Sequence, residues 1–298
     1  VESAPPIDSN NIPLVREQYN QNHHRHNSPE YADVLIQDRN LASRDAHVIP
    51  TRSYTPPDAA SAGLTLYLHG GGWVLGNLDT HDDICMDIAL ASGRSVLAVD
   101  YRLAPEYPFP AALHDVCDVI AALQANVVPG IDVSQSLLLS GDSAGANLCV
   151  AACLNEDIDT SGVRGLMLIY PGLGADDSLP SFTENEFAPI LPRTVLEIFF
   201  KAYLGGDLSK ANHLTSPLLA DDLSTVPPCF ISAAEHVPLR DDAIAFCEKL
   251  TASGVDCTLR LEATLGHGYL RVRHESPDAA KAFDAACQWI TRRHVEPN

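Results

Sequence analysis

The chain has 298 residues, 46% of them hydrophobic and 6% aromatic, with no unbroken apolar stretch long enough to cross a bilayer. Its 39 acidic residues against 19 basic ones leave a formal net charge of −20. A surface that acidic repels phosphate backbones and anionic lipid heads, which argues against nucleic-acid or membrane-surface binding.

Residues 1–40 are polar and read as helical in part; they carry no basic start followed by an apolar run, so they do not read as a signal peptide. His23, His24 and His26 have no carboxylate or cysteine at ligand spacing, and the reading is a solvated helix end, not a metal site. A weak strand pair is placed around 45–54. From residue 63 onward, strand candidates fall at 63–69, 95–101, 136–141, 165–171, 228–234 and 256–262, most of them nearly continuous apolar runs of the kind buried on both faces of a parallel sheet. Helical patterns fall between them near 80–92, 110–125, 143–154, 240–253 and 277–293. This alternation predicts an α/β fold with a mostly parallel, doubly wound sheet. Residues 173–225 interrupt it, with an amphipathic stretch at 192–203. The expectation is one domain over 1–298 whose helical cap is built from about 1–40 and about 173–225.

Two motifs sit at strand ends. Gly141-Asp142-Ser143-Ala144-Gly145 follows the run SLLLS and opens the run ANLCVAACL, the strand-to-helix turn that a G-x-S-x-G nucleophile elbow requires. Such a turn lifts the Ser143 hydroxyl above the sheet at a helix N-terminus, where the dipole favours developing negative charge. His69-Gly70-Gly71-Gly72-Trp73 directly follows the 63–69 strand, and with Ala144 the amides of Gly71 and Gly72 can surround an oxyanion. No G-K-[ST] or G-x-G-x-x-G follows those glycines, so a phosphate cradle is disfavoured. The base is expected after a late strand. His267, flanked by Gly266 and Gly268 and followed by the last helix, fits that place. The eight cysteines form no C-x-x-C pair and read as buried free thiols in a reducing compartment, hence a cytoplasmic location.

HGGGW, YRLAPEYPFPAALHD at 101–115, GDSAGAN, AEHVPLRD at 234–241 and LGHGY occur in this order. Together they resemble the bacterial hormone-sensitive-lipase-like carboxylesterases of the α/β-hydrolase fold, over roughly residue 40 to the C-terminus. The resemblance implies a small-molecule ester substrate with short to medium acyl groups, no metal or organic cofactor, and a helical cap. A homodimer is compatible with it, and 101–115 becomes a scaffold beneath the glycine loop. It also exposes a departure. The family's triad acid is the first Asp of D-P-L-x-D, and Val237 stands there. Glu235, Asp241 and Asp176 are the carboxylates that could serve His267 instead, and a damaged copy of an ordinary esterase is equally consistent. The competing function is a catalytically silent small-molecule-binding protein on a hydrolase scaffold.

Overall fold

The computed structural model of the protein describes residues 11–293, apart from residues 24, 25, 27, 58, 60–62, 132, 134, 135, 175 and 176. Among the described residues, strands β1 (Leu35–Ala42), β2 (Val48–Thr55), β3 (Leu64–Leu68), β4 (Ser95–Val99), β5 (Leu137–Asp142), β6 (Val163–Ile169), β7 (Cys229–His236) and β8 (Cys257–Gly266) form one sheet. Their spatial order is β1-β2-β4-β3-β5-β6-β7-β8. The β1–β2 and β2–β4 pairs are antiparallel and the other pairs parallel.

Side-chain alternation divides the core. Leu64, Leu66, Leu68, Leu97 and Val99 join one apolar cluster, while Tyr67, Val96 and Ala98 join the other. Helices α3 (Ala111–Gln124), α4 (Ala144–Leu154) and α7 (Arg240–Ala252) pack into the first cluster. Helices α2 (Asp82–Ser92) and α8 (Pro277–Arg292) pack into the second. The core strands are thus covered on both faces, which is why their sequence runs apolar without a polar stripe. Every residue of α4 is buried, so the helix that follows Ser143 is held along its whole length. Helices α1 (Ile12–Asn22), α5 (Pro180–Glu184) and α6 (Arg193–Tyr203) lie outside this alternation. No helix among the described residues is long and apolar enough to cross a membrane.

Two expectations need correction. The weak strand pair begins ten residues earlier than 45–54, and β1 takes residues 35–40 from the segment assigned to the cap. As an edge strand β1 pairs only with β2, and none of its residues is buried, so it carries no apolar signal. The cysteines are also not all free. Cys247 on α7 and Cys257 at the start of β8 form a disulfide with a Cα separation of 5.8 Å. The turn between α7 and β8 folds these two residues together, which linear spacing does not announce. Cys85, Cys117, Cys149, Cys153, Cys229 and Cys287 are buried free thiols. Because the disulfide closes a short loop, its reduction is expected to cost about 2–3 kcal/mol. A lowered thermal midpoint in dithiothreitol and in Cys247→Ser checks this; a midpoint unmoved by complete reduction contradicts it.

Candidate active site

The C-terminal ends of the parallel strands bring the motifs together. β5 ends at Asp142, and Ser143 follows with φ 53° and ψ −117°, a conformation few side chains adopt. The turn is tight enough that a Cβ on Gly145 would overlap the Leu68 carbonyl oxygen at the end of β3. Ser143 N–H donates to the Ile169 carbonyl at 2.9 Å, fixing the elbow to β6. Ala144 opens α4, and the first amides of a helix have no intrahelical acceptor.

The glycine loop is fastened on several sides. Gly70 N–H and Tyr67 hydroxyl both donate to Asp142 Oδ1 at 2.8 Å, tying the loop to the elbow. Tyr101 hydroxyl donates to the His69 carbonyl at 2.6 Å, and Ala104 N–H to the Trp73 carbonyl at 2.8 Å. Both bonds come from the 101–115 stretch and hold the loop from below. Trp73 stacks on Tyr203 of α6 at 4.3 Å, and Arg16 of α1 donates to the Val74 carbonyl at 2.7 Å. Gly72 has φ 61°, and a Cβ there would overlap the Phe199 ring.

β8 delivers the imidazole. His267 Nε2 lies 2.9 Å from Ser143 Oγ, a hydrogen bond. The opposite nitrogen, Nδ1, is buried and has no hydrogen-bond partner among the described residues. Burial pushes the His267 pKa down to about 4, only partly opposed by the Asp142 charge. The β7–β8 register pairs His236 with Gly266, so Val237 and His267 are the residues that next leave the two neighbouring strand ends. Val237 is 1% exposed, in the apolar cluster that also holds Tyr170, Leu239, Leu265 and Tyr269.

Two of the three alternative carboxylates, Glu235 and Asp241, are held away from the imidazole by other partners. Glu235 accepts from Arg240 at 3.0 Å. Asp241 accepts from Arg240 at 2.7 Å and from the Ser181 amide at 2.8 Å. Asp177 pairs with Arg193, and Asp176 lies outside the described residues. Arg240 thus occupies both Glu235 and Asp241, a constraint invisible without the fold.

Ser143, His267, Gly71, Gly72 and Ala144 line one cavity of about 1000 Å³. Val15 and Tyr19 of α1 and Val195, Leu196 and Phe199 of α6 complete its wall. A groove of about 1170 Å³ lined by Asp159, Arg164 and Asp221 shares no residue with it. Among the described residues no cluster of His, Cys, Asp or Glu could hold a metal ion. Arg271 also lines the cavity and escaped the sequence reading, because an arginine four residues past His267 has no motif context.

A family model described as the alpha/beta hydrolase fold matches residues 65–271. Carboxylesterase NlhH of Mycobacterium tuberculosis is 41% identical over 84% of this chain and 80% of its own length. Ethyl acetate hydrolase of Pseudomonas putida is 36% identical over 80% and 76%. The solved structure of a hyperthermophilic esterase from the archaeon Pyrobaculum calidifontis superposes with a TM-score of 0.85 at 29% identity, covering 96% of this chain and 94% of that one.

Proposed function

Since the chain belongs to the α/β-hydrolase-fold family, in its hormone-sensitive-lipase-like branch, and is a serine carboxylesterase, we propose that it works through an acyl-enzyme on Ser143 with an incomplete triad. The observation that carries this reading is the 2.9 Å bond from Ser143 Oγ to His267 Nε2, with Nδ1 unpaired among the described residues. His267 takes the hydroxyl proton as Ser143 Oγ attacks the ester carbonyl. The amides of Gly71, Gly72 and Ala144 hold the oxyanion, and the alcohol leaves with the proton from His267. Water, deprotonated by the same imidazole, then releases the acid. Val237 cannot accept the Nδ1 proton, so nothing fixes the tautomer or stabilises the imidazolium, and turnover is depressed. α1 and residues 173–225 act as the cap. The mostly apolar cavity of about 1000 Å³ suits short to medium acyl groups.

Hydrolysis of p-nitrophenyl butyrate, lost in Ser143→Ala, tests the reading. Labelling of Ser143 by a fluorophosphonate separates it from a silent binding protein, in which the serine stays unlabelled. The orphaned Nδ1 is the one observation that favours that second reading.

Two further outcomes follow from the geometry. His267 must be neutral to act as base, and with its pKa at about 4, kcat/KM is expected to hold from neutral pH down to about pH 5 and to fall as pH drops through 4. An acid limb near pH 6.5 instead contradicts the desolvated, unpaired imidazole. Gly72→Ala forces a side chain toward the Phe199 ring at a positive φ, displacing the loop amides. A loss of about 10²-fold in kcat is expected, the scale of removing one oxyanion donor. An unchanged kcat in Gly72→Ala takes that amide out of the mechanism.

A further inference from the structure

Arg271 is a cation on the wall of the cavity that holds Ser143, and the hydrolytic mechanism leaves it without a task. It sits on the short turn Tyr269–Val272 that follows His267. Its guanidinium donates to the Thr80 carbonyl, to the His81 ring at 2.7 Å and to the Tyr19 hydroxyl at 3.3 Å. All three acceptors are neutral. Five N–H donors on one guanidinium exceed what these acceptors take up, and no hydrogen bond from its Nε is present among the described residues.

Several other arginines are held by carboxylates. Arg102 pairs with Asp115 and Asp45, Arg273 with Asp83 and Asp87, and Arg240 with Glu184, Glu235 and Asp241. Arg271 has no carboxylate within ion-pairing distance among the described residues. The nearest buried candidate, Asp142, is already taken: Oδ1 accepts from Tyr67 and Gly70, and Oδ2 from Tyr170 at 3.3 Å. Asp142 contacts His81, at 3.5 Å, and it is His81 that meets Arg271. The nearby imidazoles do not add to the positive charge. Burial, reinforced by the Arg271 charge, pushes His23 and His81 down to about 4. Arg271 therefore faces the cavity with no carboxylate in direct contact among the described residues, its charge offset at longer range by Asp142 on the same wall.

We propose that Arg271 is a specificity residue that binds an ionised carboxylate on the substrate, so that the preferred esters carry a second, anionic group. This rests on the ester-hydrolase reading of the same cavity. A planar guanidinium matches a carboxylate bidentately, and the low-polarity wall strengthens the pairing. The acidic exterior gives no long-range attraction to such a substrate. The discrimination is therefore made in the cavity, where it enters both KM and kcat/KM.

Two pairs of esters of matched length test this at neutral pH: monomethyl adipate against methyl hexanoate, and omega-acetoxyhexanoate against hexyl acetate. The first pair puts the carboxylate on the acyl side and the second on the alcohol side. In at least one pair the anionic ester is expected to have the higher kcat/KM, by roughly 10- to 100-fold, the scale of charged hydrogen bonds. That ratio should fall below one in Arg271→Met and recover in part in Arg271→Lys. If the neutral ester is preferred in both pairs, the inference is wrong, and the unsubstituted chain alone decides that without any folding question. A preference that survives Arg271→Met equally removes the role from Arg271. If no ester is hydrolysed in a Ser143-dependent way, the ester-hydrolase reading has failed. Calorimetric titration of monomethyl adipate into the Ser143→Ala chain then decides the inference separately. Binding that Arg271→Met abolishes supports it, and absence of binding overturns it.

Discussion

Val237→Asp is expected to raise kcat by up to about 10⁴, because that is what the triad acid contributes in serine hydrolases where it has been removed. The site is ready for it. Residue 237 and His267 directly follow the paired strand ends His236 and Gly266, and His267 Nδ1 is buried and unpaired among the described residues. A carboxylate there accepts the Nδ1 proton, leaves Nε2 free to take the Ser143 proton, and stabilises the imidazolium as it forms. It also raises the His267 pKa from about 4, so the acid limb of kcat/KM moves to higher pH as kcat rises. The gain comes with a loss of stability. Val237 is in the apolar core, and giving up that burial costs about 1.5–3 kcal/mol, partly offset by the new hydrogen bond. Val237→Asn is the control, since an amide can hold the ring in the wrong tautomer and should recover little. A folded Val237→Asp protein with no gain in kcat would show that Val237 is not what limits this site.

Ser143→Ala is expected to have an effect whose size depends on residue 237. In a serine hydrolase of unrelated fold, loss of the serine costs about 2 × 10⁶ in kcat and loss of the acid about 3 × 10⁴, and the groups act as a unit. The ratio of the two implies that a chain already lacking the acid has only about 10² left to lose when the serine goes. Ser143→Ala should therefore cost about 10²-fold in the chain as it stands and about 10⁶-fold in the Val237→Asp background. The four proteins form a double-mutant cycle whose coupling energy measures how far Ser143, His267 and residue 237 work together. Equal losses in the two backgrounds would mean that residue 237 does not act through the serine. The glycine loop is unchanged in all four, so the residual rate of Ser143→Ala without the aspartate reports what the loop and His267 supply when serine and acid are both absent.

Much of this molecule is legible from local pattern. Strands β3 to β7 announce themselves because burial on both faces demands largely unbroken apolar runs, and the helices between the strands repeat at helical spacing; β8, at the sheet edge, is mostly exposed or half-buried. Ser143 and the loop glycines are legible for a related reason. A turn that passes against Leu68, or that adopts a positive φ beside Phe199, tolerates only particular small residues, and such constraints are written at fixed positions. His267 is recognisable from its place after the last strand and its glycine neighbours. What remained hidden depends on how the chain turns back on itself, and no local pattern announces that. β1 is exposed and half-paired, so no periodicity marks it. The bond between Cys247 and Cys257 follows from how α7 turns back onto β8. That Glu235 and Asp241 are both held by Arg240 shows only in the folded chain. Arg271 became a feature of the cavity because Thr80 and His81 of one short turn and Tyr19 of α1 close around it, with no carboxylate within ion-pairing distance among the described residues. Local sequence determines which backbone conformations and burial patterns are available; electrostatic partnership is set by distance in space, and only the tertiary fold supplies that distance.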